Sequence, residues 1–310
     1  MSRRAVFFGT PEWAVASLEA VAASAWDLAG VVTNPDRPAG RGYRLQPPPV
    51  KDRAVSLGLP VFQPASARGD DLEGWLRELA PDVAVVVAYG KILPGSLLDI
   101  PPLGFVNVHF SLLPAYRGAA PVQRAVMDGV AETGVSIMRL TEGMDEGPVL
   151  ATERMTLDPA RTSGEVGEEL ARSGARLLVR TLDAYAAGDI VPLEQDHERA
   201  TYAPKITSEE AEIDWAAPAT AIRRHVHGLS PFPGAWSSLG DKRFKIYRVT
   251  PVEGDNALSP GHLTVVDGDL VVGTGEGELV IEEGQLAGKR RMPGREIARG
   301  LDRGGELRLG

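Results

Sequence analysis

The run Asp82-Val83-Ala84-Val85-Val86-Val87-Ala88 decides how this chain folds. Its unbroken apolar character suits a β-strand buried on both faces, as in a parallel sheet sandwiched by helices. Working outward, Ala5–Phe8 and Leu28–Thr33 are predicted strands before it. Phe105–His109 and Val135–Leu140 are predicted strands after it, with a helix over Gln123–Asp128 between them. Gly9 turns the chain after the first strand. Thr10 is expected to cap a helix that has Pro11 at its first position and Glu12 near its positive end. A longer helix is predicted over Ser163–Ala187, with Glu165, Glu168 and Glu169 early and Arg172, Arg176 and Arg180 later, as the helix dipole favours. This alternation predicts an α/β, Rossmann-like, doubly wound and mostly parallel sheet.

The pattern changes further on. Residues 1–188 read as the first domain, 189–207 as a polar, turn-rich linker, and 208–310 as a second domain. A helix over Ala219–His227 leads into a proline-bounded turn, Ser230-Pro231-Phe232-Pro233-Gly234-Ala235-Trp236. Short strands are predicted at Trp236–Leu239, Phe244–Val249, Leu263–Val266, Leu270–Val272 and Leu279–Glu282. Strands of this length and spacing predict a small barrel or sandwich.

Composition narrows the function classes. The 310 residues are 43% hydrophobic and 24% charged, enough for two packed domains. No apolar run reaches membrane-spanning length, and the basic start Met1-Ser2-Arg3-Arg4 leads into a strand rather than a secretion signal. Cysteine is absent, which excludes disulfides and thiolate chemistry and predicts a cytoplasmic protein. The five histidines show no metal-ligand spacing, so no metal is expected. The net charge of −9 hides two basic islands. Residues 33–53 carry net +3 and residues 286–310 net +4, and either could grip a polyanion locally or be ordinary surface. A monomer is expected, because nothing in the pattern suggests a large exposed apolar face.

The chemistry concentrates around Asn107 and His109. In a strand, period two puts both side chains on one face, opposite Val106, Val108 and Phe110. They lie at a predicted carboxyl end, where doubly wound sheets bind ligands. Alone, such a pair is more often a satisfied hydrogen-bonding group than a catalytic one. Downstream, Thr141-Glu142-Gly143-Met144-Asp145-Glu146-Gly147-Pro148 is an acidic loop after the neighbouring predicted strand. The first βα turn, Gly9-Thr10-Pro11-Glu12-Trp13-Ala14, lacks the glycines of a dinucleotide fingerprint, and no phosphate-cradling P-loop occurs. An amide, an imidazole and a carboxylate without a Ser or Cys nucleophile suggest direct acyl transfer to an external amine, with the amide and imidazole facing the developing oxyanion.

The segments NVHFSLLPAYRGAAPVQRAV (107–126) and GVSIMRLTEGMDEGPVL (134–150) together resemble the folate-dependent formyltransferases. The resemblance implies that Asn107, His109 and Asp145 form the catalytic trio and that 10-formyltetrahydrofolate is the formyl donor. It implies a pterin pocket walled by Val87, Ala88, Tyr89 and Gly90, by Ser111, Leu112, Leu113 and Pro114, and by the 141–145 loop with Thr141 and Met144. FFGTPEWAVASLEAV (7–21), TNPDRPAGRGYRLQPPPVK (33–51) and TYAPKITSEEAEIDW (201–215) look like the branch of that family whose acceptor is methionyl initiator tRNA. Residues 33–51 are then an insertion loop reaching the tRNA acceptor end, with Arg37, Arg41 and Arg44 as its contacts. The second domain is then an OB-like barrel whose QLAGKRRM stretch offers Lys289, Arg290 and Arg291 to the tRNA body. Two relatives in chemistry stay open: transfer to a small amine such as an amino-sugar nucleotide, and hydrolysis that releases formate. A catalytically silent RNA-binding protein on the same fold is the rival from another class.

Overall fold

The computed structural model describes residues 3–39, 44–252, 258–301 and 307–310. By internal contacts the chain forms two compact units. One holds residues 1–121, 133–155 and 167–203; the other holds 122–132, 156–166 and 204–310. Residues 189–203, read from sequence as part of a linker, thus pack with the first unit.

Up to Ala203 the elements are β1 (Arg4–Gly9), α1 (Val15–Ala22), β2 (Asp27–Val32), β3 (Arg37–Ala39), β4 (Arg44–Gln46), α2 (Pro49–Ser56), β5 (Val61–Phe62), α3 (Asp70–Leu79), β6 (Val83–Val87), α4 (Gly95–Leu98), β7 (Phe105–His109), β8 (Arg117–Gly118), α5 (Pro121–Asp128), β9 (Glu132–Arg139), β10 (Val149–Thr156), α6 (Ser163–Ala187) and β11 (Tyr202–Ala203). The main sheet has the order β10-β9-β7-β6-β1-β2-β5. Its β1–β2, β1–β6, β2–β5 and β6–β7 pairs are parallel. The valine run forms β6 near its centre, every residue of it buried. Ala84 and Val86 pack with Leu72, Leu76 and Leu97 on one face, so the run is apolar because helices cover it. The strand stops at Val87 because Ala88 turns left-handed, with φ 47°.

The sheet is mostly parallel, as expected, and β9 is a strand that departs from that direction. Strand β9 runs antiparallel to β7, pairing Val106 with Arg139 and His109 with Ser136. Helix α6 covers the face of these strands that carries Val108. A Cβ added to Gly174 would sit 3.1 Å from both Val108 and Val135 side chains, so the glycine lets helix and sheet approach closely. Asn107 and His109 therefore point to the opposite face.

The remaining elements are α7 (Ala219–Gly228), β12 (Ala235–Leu239), β13 (Lys242–Val252), β14 (His262–Val266), β15 (Asp269–Gly273), β16 (Glu278–Leu286), β17 (Met292–Pro293), α8 (Gly294–Leu301) and β18 (Leu307–Arg308). The sheet follows β12-β13-β16-β15-β14-β18, and an antiparallel bridge from Leu239 to Leu309 brings the last segment back to the first strand. The result is a nearly closed antiparallel barrel. Phe244, Ile246, Val249, Leu263, Val272 and Ile281 fill it, together with Ile222 and Val226 of α7 and Ile297 of α8. The 122–132 and 156–166 segments join this unit through the Arg124–Glu210 and Arg248–Glu165 ion pairs and through Ser163 Oγ, which donates to the Ser230 carbonyl at 2.8 Å. Strands β13 and β16 outrun their predicted ends, because their polar and proline-bearing extensions still pair across the ladder.

Two local expectations change. Thr10 caps no helix: the turn after β1 is a short 3₁₀ segment, Glu12–Ala14, without a side-chain cap. Thr10 Oγ1 instead accepts from Asn34 Nδ2 at 2.8 Å. The predicted 33–51 loop is not structureless either. Strands β3 and β4 form an antiparallel hairpin, and Pro49 starts α2, where its missing N–H costs nothing. No helix among the described residues is long and apolar enough to cross a membrane.

Candidate active site

Strand β7 delivers Asn107 and His109, 8% and 5% exposed, at the level where β6 ends; Val86 pairs with Asn107. Asn107 keeps a small exposed area at this strand end, where its amide can meet a ligand. His109 is anchored on its far side: Nε2 donates to the Tyr116 carbonyl at 2.9 Å. Its Nδ1 faces the Asp145 carboxylate, Oδ2, at 3.7 Å. That is too long for a hydrogen bond but close enough for an ion pair when the ring carries a second proton.

Asp145 reaches this point by an indirect route. Because β9 is antiparallel, Leu140 leaves the sheet beside Phe105, to whose carbonyl its N–H donates at 2.7 Å. The 141–148 loop then doubles back to His109. Gly118 N–H donates to Asp145 Oδ2 at 2.9 Å, and Asp145 holds φ at 51°. Ala88, Tyr116 and Asp145 all border the site and all have positive φ. Strained backbone of this kind gathers at functional sites.

The predicted pterin walls lie around the same strand ends. Ser111–Pro114 continues β7 and is stapled by Ser136, whose hydroxyl donates to the Ser111 carbonyl at 2.8 Å and accepts from Leu113 N at 3.1 Å. Val87–Gly90 follows β6. Tyr89 is 1% exposed, its phenol has no partner, and burial pushes its pKa up to about 12, so it stays a neutral donor. Its carbonyl accepts from Asn34 Nδ2 at 2.7 Å, tying the ends of β2 and β6 together. Thr141 Oγ1 and Asn34 Oδ1 are also buried and unpartnered, while Met144 is 61% exposed at the rim.

Arg37 is exposed on β3. Arg44 lies on β4, and Arg41 falls outside the described residues. Two other cations of that island are neutralised. Lys51 pairs with Asp36 at 2.8 Å and Arg53 with Glu19 at 2.6 Å. Lys91 lies nearby in charge terms: burial and the Arg37 guanidinium hold its pKa below the usual lysine range. In the second unit Lys289, Arg290 and Arg291 occupy the exposed turn between β16 and β17. Arg290 pairs with Glu296, and Arg291 pairs with Glu283 and stacks on Tyr247. That unit also holds an open cavity of about 330 Å³ lined by Met127, Ile213, Ile222 and His225, but no predicted site residue borders it.

Residues 2–182 match the formyl transferase family profile, and residues 205–302 match the profile of the formyl transferase C-terminal domain. The chain belongs to the formyl transferase family. It is 46% identical over 297 residues to the methionyl-tRNA formyltransferase of Streptomyces griseus, covering 96% of each chain. It is 45% identical over 307 residues to that of Thermobifida fusca, covering 99% of each. In fold it is similar to HypX from Aquifex aeolicus, solved in complex with tetrahydrofolic acid. The TM-score is 0.69 at 16% identity over 98% of this chain, which spans about half (48%) of HypX. This formyl transferase carries site residues that sequence reasoning did not single out. Tyr116 and Gly118 act through backbone atoms, which any residue supplies. Ser136 looked like one more strand residue. Gln195 lies in a polar stretch with no local signal.

Proposed function

We propose that this formyl transferase moves the formyl group of 10-formyltetrahydrofolate to the α-amino group of methionyl initiator tRNA. The observation that carries the reading is Asn107, His109 and Asp145 gathered at one strand end, in a chain 46% identical to a methionyl-tRNA formyltransferase. The free amine titrates near about 7.7–8.0 and lower beside an ester, so neutral nucleophile is available at pH 7. It attacks the formyl carbon directly. The Asn107 amide and the His109 ring donate to the oxyanion of the tetrahedral intermediate. Asp145 stabilises the charged ring and helps remove the ammonium proton; the folate nitrogen leaves with a proton.

Val87–Gly90, Ser111–Pro114, Thr141 and Met144 would hold the pterin. The unpartnered Tyr89 phenol, Thr141 hydroxyl and Asn34 carbonyl oxygen suit a ligand bearing both donors and acceptors. Arg37, Arg41 and Arg44 would take the acceptor end, and Lys289, Arg290 and Arg291 the tRNA body. The protein acts as a cytoplasmic monomer. The test is incubation with 10-formyltetrahydrofolate and methionyl-tRNA. Formylmethionyl-tRNA is expected; free formate as the sole product would make the protein a hydrolase.

A further inference from the structure

We propose that Arg117 and Gln195 form one buried strut that positions Asp145 for the transfer read above. Gln195 is 7% exposed and Arg117 2%. Gln195 Nε2 donates to the carbonyls of Asp145, at 2.9 Å, and Gly147, at 2.7 Å. Its Oε1 accepts from Arg117 Nε at 3.1 Å and Nη2 at 2.8 Å. Both donors and both lone pairs of the amide are thus used, which fixes its orientation. The guanidinium polarises the amide and strengthens the bonds on its other side. Arg117 Nη1 also donates to His197 Nδ1 at 3.4 Å.

The neighbours of Arg117 explain why this matters. The Tyr116 carbonyl holds His109 and the Gly118 N–H holds the Asp145 carboxylate. Three consecutive residues therefore fix the imidazole, the carboxylate and, through Gln195, the backbone that bears the carboxylate. The 141–148 loop needs such ties. It lies between β9 and β10, with the Pro148 carbonyl accepting from Arg139 N–H at 2.9 Å, and Asp145 sits in a backbone conformation that non-glycine residues seldom adopt. The 3.7 Å gap to His109 leaves little room for drift. A misplacement of about 1 Å at a reacting group costs on the order of a hundredfold in rate.

Gln195→Glu keeps the acceptor for Arg117 and removes both donors to the loop. Turnover to formylmethionyl-tRNA should fall about ten- to hundredfold. In an Asp145→Asn background the same change should alter turnover by less than about twofold, because residues acting as a unit are not additive. Hydrogen exchange over residues 141–148 should rise, while that of strand 105–109 stays as it was. Arg117→Lys, which loses the bidentate contact, should give a smaller loss with the same dependence on Asp145 and serves if the first variant does not fold. Equal factors in both backgrounds, undiminished turnover, or unchanged exchange over 141–148 would overturn the strut. If the unaltered chain makes no formylmethionyl-tRNA, the functional reading fails, and the exchange measurement still decides the strut.

Discussion

In the proposed mechanism Asn107 donates to the oxyanion. The residue is mostly buried and lies on the same face of β7 as His109. Asn107→Ala should lower turnover by about 10²–10³, the usual loss for one oxyanion donor, with an unchanged circular dichroism spectrum. Wild-type turnover in that variant would remove Asn107 from the mechanism. Period two made the Asn107–His109 pairing legible in sequence. The acidic 141–148 loop was legible from its place after the neighbouring strand, but which of its carboxylates faces His109 came only through resemblance. Tyr116 and Gly118 were not legible, since a carbonyl and an N–H leave no mark on residue identity.

At the scale of elements, the sequence reading located the strands and helices well and their directions less well. The valine run, the 163–187 helix and the 219–227 helix fall where the pattern placed them, because burial on one or both faces writes itself into residue type. Direction does not: an apolar strand looks the same whether it pairs parallel or antiparallel, so which strand departs from the parallel majority left no mark. The strand pair also exposes a dependence. Ser136 on β9 staples the Ser111–Leu113 loop by two hydrogen bonds. Ser136→Ala should cost about 1–3 kcal/mol of stability and raise the folate KM severalfold, checked by thermal melts and steady-state kinetics. The β3–β4 hairpin makes a separate prediction. Arg41→Ala, in the segment between β3 and β4, should weaken methionyl-tRNA use while formylfolate affinity holds steady in a titration. The reverse pattern would mean that the hairpin serves the folate.

For the whole molecule, the barrel unit carries a pH sensitivity unrelated to catalysis. Burial pushes the His227 pKa below its ordinary 6.5, and the nearby Arg248 and Arg223 push it further. Burial lowers His225 as well. The unfolded chain takes these protons near pH 6.5 while the folded chain resists, so protonation favours unfolding as the pH drops. Above that pH both states are neutral and stability is unaffected. Calorimetry should therefore give a melting temperature that falls as pH drops below about 6.5, and His227→Gln should flatten part of that slope. A melt that declines equally in both proteins would point to other groups.

The way the two units share the chain limits how such a protein can change. A chain ending at Ala203 would contain every residue of the first unit. It would also retain residues 122–132 and 156–166, whose partners lie later. Arg124 would lose Glu210, Met127 would lose its close contact with Gly228, and Ser163 would lose the Ser230 carbonyl. The barrel is thus no detachable cassette. Neither part can be shed, swapped or borrowed by a simple cut of the gene without rewriting α5 and the 156–166 segment at the same time.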